Sequence, residues 1–405
     1  MNRPTRVLVI DTAPGTWGAQ ACLLRLAEPL ARRGYELVLA APPELDLAGA
    51  WRERGLPFVP AALPLARSVR TEPDGTGRLS LRPLAREAAA LSRTVGEIGR
   101  LARASGAAAI HGNGHPVHLD VALAGRRARV PTVLHLHEEM APAFGRALRT
   151  TAILAASGAI AVSRSIAEAL PRAVRGRVSV VPNGVDLRRF APGTADPAVR
   201  AALGAAPADV LLVAATRLDP VKRIEDLVRA VAPLRDRPGW HLAVVGATSS
   251  FGAYAARVER EARATLGPRV SFPGRRDDMA AVLRAADVLV HAGVVEGMPL
   301  GVVEAQAAGR PVVAYRVAGV PDAVRDGRTA LLAEPGDAGE LGRLIEGLVQ
   351  DEVRRQRMGD AARRHAEREL DLERQADRHA AVLDRVVGAG SLRPLSGRAA
   401  VGRPS

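Results

Sequence analysis

Runs of apolar residues too short to be helices recur along this chain, each followed by a longer amphipathic stretch, and the series occurs twice. A run such as Val7-Leu-Val-Ile10 has no polar face, so the strand it forms must be covered on both sides. Apolar strands alternating with helical stretches predict parallel sheets with crossover helices, an α/β fold. Residues 7–10, 36–40, 107–111, 132–137 and 159–162 are read as strands of a first unit, and 210–214, 241–245, 269–272, 288–291 and 311–315 as strands of a second. Between them Val181-Pro-Asn-Gly-Val-Asp186 and Phe190-Ala-Pro-Gly-Thr-Ala-Asp-Pro197 are dense in breakers, which places a hinge near residues 185–200. Two Rossmann-like domains facing each other across a cleft follow, residues 1–187 and 188–370, with a helix over 371–387 returning to the first. Arg67–Leu84 is expected to be an exposed loop, and the Gly-, Ser-, Pro- and Arg-rich residues 388–405 a disordered tail.

A chain of 405 residues has room for two such cores. No apolar run approaches the roughly 20 residues that span a bilayer, and the N-terminus enters a strand without a signal-peptide pattern. A lone Cys22 excludes an internal disulfide framework. These features predict a cytoplasmic protein. The net charge of +14 predicts anionic ligands, whereas 3% aromatic residues, not interleaved with arginine, argue against nucleic acid. The charge, with Phe144, Leu148 and Leu154 beside Arg146 and Arg149 in Ala141–Leu154, also raises peripheral contact with the inner face of the membrane. An internal helix packed on the sheet accounts for that stretch equally simply.

Of the 57 lysine and arginine residues only Lys222 is a lysine. It stands five positions after Arg217, and a compact charge beside a planar fork suits a pyrophosphate. In Glu296-Gly-Met-Pro-Leu-Gly-Val-Val-Glu304, Pro299 sits at a helix start, so residues 297–301 offer backbone amides and a positive dipole end to a ligand. Glu304 has two oxygens for a diol, and Glu296 faces the ligand from the loop.

These segments, with Ala308-Gly-Arg-Pro-Val-Val-Ala and Ala318-Gly-Val-Pro-Asp322, resemble the donor-binding region of family 4 retaining glycosyltransferases of the GT-B fold. The resemblance includes Arg217 and Lys222 as an Arg-x4-Lys pair, the linker with Phe190, Gly246 and Gly274 at strand ends, and Gly18-Ala-Gln20 at the first loop. It implies transfer of a hexose-type sugar from a nucleoside-diphosphate sugar, with retention, to an acceptor held by the N-terminal domain. That acceptor could be a saccharide, a lipid-linked sugar or a small natural product. It implies no cofactor and no metal, since Arg217 and Lys222 would neutralise the departing diphosphate. The implied catalytic set is His137, Arg217, Lys222 and Glu296. Donor contacts would add Gly18, Thr216, Gly246, Gly274, Arg275, Gly297, Met298, Leu300 and Glu304.

Strand alternation puts His135 and His137 on one face, with His135 one layer deeper. His111 is expected to end a strand facing the cleft, before a Gly112-Asn-Gly114 turn, and His291 to be an ordinary strand-end residue. Asp277-Asp278 is expected to cap the helix from Met279. Trp17, Thr216, Gly293 and Asp322 depart from the family pattern, and Trp17 leaves the first loop wider or able to stack on an acceptor. A nucleotide-sugar epimerase of similar architecture and a non-catalytic nucleotide-sugar-binding protein are the competing functions.

Overall fold

The computed structural model describes residues 3–64, 81–139, 144–248 and 251–391. Two parallel sheets carry the fold. The first contains β1 Thr5–Ile10, β2 Tyr35–Ala41, β3 Phe58–Pro60, β4 Ala109–Asn113, β5 Thr132–Leu136, β6 Gly158–Ala161 and β7 Val178–Val180, in the order β3-β2-β1-β4-β5-β6-β7. The second contains β8 Val210–Ala215, β9 Trp240–Val245, β10 Val270–Gly274, β11 Val288–His291, β12 Val312–Tyr315 and β13 Ala330–Ala333, in the order β10-β9-β8-β11-β12-β13. Every strand pairing is parallel, and β1 and β2 run in register from Thr5↔Tyr35 to Ile10↔Ala40. Val7, Leu8, Val9 and Ile10 are fully buried, as a strand with helices on both faces must be.

The strand order reverses between β1 and β4 in one sheet and between β8 and β11 in the other. At such a switch point successive crossovers leave to opposite faces, and a crevice opens at the strands' carboxyl ends. The fold therefore creates two crevices, and the residues after β1, β4, β8 and β11 line them.

The chain passes between the halves twice, and the passages pair. Val185 N donates to the Leu370 carbonyl at 2.8 Å and Leu372 N to the Val185 carbonyl at 3.1 Å. Gly184 is required here, because a Cβ would stand 2.7 Å from Leu372 Cα. The helix Leu372–Ser391 then lies along the first half, with Tyr35 donating to Asp384 and Arg33 held by Glu373 and Asp377.

Several sequence expectations need correction. The helix Leu81–Ala104 takes in the last residues of the expected 67–84 loop, whose remainder lies outside the described residues. Residues 388–391 continue the final helix, and 392–405 lie outside the description. The expected strands omit β3, β7 and β13, short strands that lie at the edges of the two sheets. In the helix Phe144–Ala155 the inward face carries Ala152, Ile153 and the buried Arg149, while Leu154 is exposed. Asp278 holds the N-cap position before Met279, but its carboxylate pairs with Arg276 at 2.6 Å instead of bonding the helix amides. No described helix is long and apolar enough to cross a membrane.

Candidate active site

On the C-terminal side, the loop after β8 carries Thr216, Arg217 and Lys222, and the loop after β11 carries Glu296. The two are tied by Val294 N donating to the Val221 carbonyl at 2.9 Å. Lys222 Nζ lies 2.5 Å from Glu296 Oε1, and His291 Nε2 lies 3.0 Å from the same oxygen. Burial of Glu296 works against its charge, but Lys222 and His291 outweigh that and bring its pKa down to about 2. The carboxylate is thus ionised throughout the neutral range. Arg217 is partly exposed, 3.6 Å from Asp219, with its guanidinium 4.7 Å from the Trp17 ring centre. Gly246 and Gly274 stand at the ends of β9 and β10, joined by Gly246 N donating to the Gly274 carbonyl. Arg275 is exposed and pairs with Asp277 at 3.2 Å.

The opposite wall is built at the other switch point. Asp11 follows β1 and is fully buried; it accepts from Ala13 N at 2.7 Å, Gln20 Nε2 at 2.9 Å and Asn113 Nδ2 at 2.7 Å. With its amide nitrogen donating to Asp11, Asn113 presents Oδ1 to His137 Nε2 at 2.8 Å. That acceptor fixes the proton on Nε2 and leaves Nδ1 as the lone-pair nitrogen. Desolvation drives the His137 pKa to about 3, so the ring is neutral at pH 7. Gly18 begins the helix Gly18–Arg32, and Gln20 accepts from Trp17 N at 3.3 Å.

The walls touch. Gly297 abuts the end of β5 so closely that a Cβ would lie 1.7 Å from the His137 carbonyl oxygen. Asn183 N donates to Met298 Sδ at 3.1 Å and Asn183 Nδ2 to the Met298 carbonyl at 2.9 Å. Ser165 donates its hydroxyl proton within reach of the Ala318 carbonyl at 2.7 Å and Asp322 Oδ2 at 3.1 Å. The helix Leu300–Ala307 starts at Leu300 and buries Glu304, whose Oε1 accepts from Arg25 Nη2 at 2.5 Å across the domains. Beside that contact a groove of about 1080 Å3 opens between the first helix and the linker, lined by Arg25, Arg54, Arg189 and Phe190 among others.

Comparison with known sequences matches both halves. Residues 17–189 match the family described as Glycosyltransferase Family 4, and residues 209–351 the family described as Glycosyl transferases group 1. The chain belongs to the group 1, family 4 glycosyltransferases. A D-inositol 3-phosphate glycosyltransferase of Streptomyces avermitilis is 39% identical over 228 residues, 53% of this chain and 49% of that protein. One from Stackebrandtia nassauensis is 37% identical over 250 residues, 58% and 56% of the two chains. In these alignments the chain spans about half the length of the curated relatives it matches. Among solved structures, Anabaena HepE in complex with UDP and glucose superposes with a TM-score of 0.76 at 22% identity, covering 94% of this chain and 99% of that one. Sucrose-phosphate synthase of Thermosynechococcus elongatus superposes with a TM-score of 0.76 at 21% identity, covering 95% and 100%. The fold is GT-B.

In this family 4 chain the structure adds residues that the sequence reading left out. Asp11, Gln20 and Asn113 hold His137; the polar residue directly after the first apolar run was the available signal for Asp11. His291 touches Glu296 instead of merely ending β11. His111 does not end its strand at the cleft. It sits inside β4, 1% exposed, stacked on His379 with ring centres 5.3 Å apart, and Gly112-Asn113 continue the strand. Trp17 stacks on Arg217.

Proposed function

We propose that this chain is a retaining transferase that moves a hexose-type sugar from a nucleoside-diphosphate sugar to a phosphorylated polyol or related small acceptor. The observation that carries the reading is the Lys222–Glu296–His291 cluster at one switch point, facing the His137–Asn113–Asp11 chain at the other. Family membership and the GT-B fold support the reaction class.

In this reading the donor diphosphate lies between Arg217 and Lys222, which offset the negative charge gathering on the leaving group. A diphosphate oxygen takes Lys222 over from Glu296, and the ionised Glu296 then accepts from the donor sugar's hydroxyls. Glu304 has one oxygen held by Arg25 and offers the other to the ribose. Amides of the Gly297–Leu300 loop and the backbone at Gly274-Arg275 complete the donor contacts. His137 contributes its unprotonated Nδ1 near the donor sugar. Residues 1–187 would hold mainly the acceptor, 188–370 mainly the donor, and 371–387 would tie the two together. No residue of this scheme requires a metal.

Arg149 supports a phosphate-bearing acceptor. It is 5% exposed, its Nη1 donates to the Glu138 carbonyl at 2.5 Å, and its Nε and Nη2 have no partner among the described residues. A buried guanidinium with free donors, bonded to the residue that follows His137, calls for an anion. The relatives named as D-inositol 3-phosphate glycosyltransferases act, by that name, on such a compound.

The deciding experiment is a thermal-shift panel of UDP-, GDP-, ADP- and dTDP-sugars with EDTA present, followed by transfer assays with inositol phosphates. Selective stabilisation by one donor, lost in Lys222→Ala, and a product with the donor's anomeric configuration would support the reading. A product of inverted configuration, or a sugar epimerised without transfer, would overturn it; stabilisation without any turnover would instead favour a binding protein.

A further inference from the structure

Away from the cleft, a cavity of about 230 Å3 lies between the turn that precedes β13 and the helix Glu352–Glu369. Arg325 and Arg328 line it from the turn, and His365, Arg368 and Glu369 from the helix. The guanidinium groups of Arg328 and Arg368 have no hydrogen-bond or ion-pair partner among the described residues. Arg325 donates to the neighbouring Val324 carbonyl at 3.1 Å. Asp326, also on the rim, is already engaged by Arg316. Glu369 is then the acid left to face three guanidiniums.

The floor is His365, 3% exposed, with Nε2 unpartnered among the described residues. Burial and the nearby Arg325 hold its pKa below the usual imidazole value. The turn is braced by two hydrogen bonds: Thr329 N donates to the Arg325 carbonyl at 2.7 Å and Arg325 N to Thr329 Oγ1 at 2.9 Å. Arg325 and Arg328 are thus presented from a braced backbone. These exposed cations, gathered from two segments, outnumber the acid left to match them, and a dianion with several acceptor oxygens can bond all three at once.

We propose that this cavity is a second anion site, which binds a small phosphate-bearing molecule on Arg325, Arg328 and Arg368. Its volume lies below the roughly 300–1,000 Å3 of drug-sized pockets, so the occupant is free phosphate or a compact phosphate monoester. The site adjoins the hinge, since Glu369 is followed at once by Leu370, whose carbonyl accepts from Val185 N.

The test is isothermal titration calorimetry of the full chain with inorganic phosphate, then glucose 6-phosphate, against glucose and chloride controls. Saturable phosphate binding is expected, weakened about tenfold or more in Arg325→Ala and in Arg368→Ala, the cost of one charged hydrogen bond. Binding should persist in Lys222→Ala, which removes a cation from the cleft and leaves this cavity untouched. Tighter binding of glucose 6-phosphate than of phosphate would identify a monoester site, and equal or weaker binding a free-phosphate site. Absence of saturable binding by either probe, full affinity in both arginine variants, or loss in Lys222→Ala would overturn the proposal.

Discussion

Lys222 Nζ stands 2.5 Å from Glu296 Oε1, although 74 positions separate the two in sequence. Each is the nearest opposite charge of the other in a nearly dry pocket, with side chains 15% and 8% exposed. Before any donor arrives, the cleft therefore neutralises its own lysine. In the proposed function a donor would exchange one partner of Lys222 for another instead of meeting a bare cation.

Lys222→Ala should leave a folded protein whose turnover is lower by about a hundredfold or more, the typical loss of one preorganised charge donor. Lys222→Arg should rescue poorly, because a planar fork does not fit a pocket built around a point charge. Steady-state kinetics with the donor identified by thermal shift checks both. Wild-type turnover in a folded Lys222→Ala protein would remove the lysine from the diphosphate.

Trp17 should report donor binding. Trp51 and Trp240 are fully buried and hydrogen-bonded to the carbonyls of Pro57 and Leu234, whereas Trp17 is 40% exposed over Arg217. A diphosphate that draws Arg217 away changes the surroundings of Trp17 alone. Tryptophan emission should shift on adding the donor and stay constant in Trp17→Phe. The stack itself is worth about 0.5–1 kcal/mol at so exposed a position, so Trp17→Phe should melt within a few degrees of wild type.

Gly297→Ala tests the contact between the walls. Its Cβ would overlap the His137 carbonyl, a backbone atom that cannot rotate away. Stability should fall by about 1–3 kcal/mol as the loop shifts, and turnover by about a hundredfold if Glu296 is displaced by roughly 1 Å. Urea unfolding and kinetics on one preparation measure both. A variant with wild-type values for both would mean that the walls are held apart in solution.

Acid should loosen the final helix. His379, on that helix, packs among His111 and His135, and His135 contacts His137. Burial pushes all four below the ordinary value of 6.5, His379 to about 4 and His137 to about 3. The unfolded chain therefore binds more protons as pH falls from 6.5. Stability supplied by these neutral rings is full above pH 6.5 and declines as pH falls, down to about 4 for His379 and about 3 for His137. The melting temperature should follow that slope, and His379→Phe should flatten it. An unchanged slope in the variant would assign the acid sensitivity to other groups.

The alternating apolar runs determined the two sheets, because a parallel strand covered on both faces must be apolar over its length and a local window reveals that. The same locality made Arg217, Lys222, Glu296 and the 297–301 loop visible, since each directly follows a strand. Short edge strands such as β3 and β7 escaped, having too few residues for a period. Tertiary structure alone decided that Arg25 reaches Glu304, that Trp17 lies on Arg217, and that His111 stacks on a histidine of the last helix. None of these pairs shares an element; each depends on how crossovers and the paired hinge strands bring distant segments together. Local chemistry wrote the parts into the sequence, and the closing of one sheet against the other chose their partners.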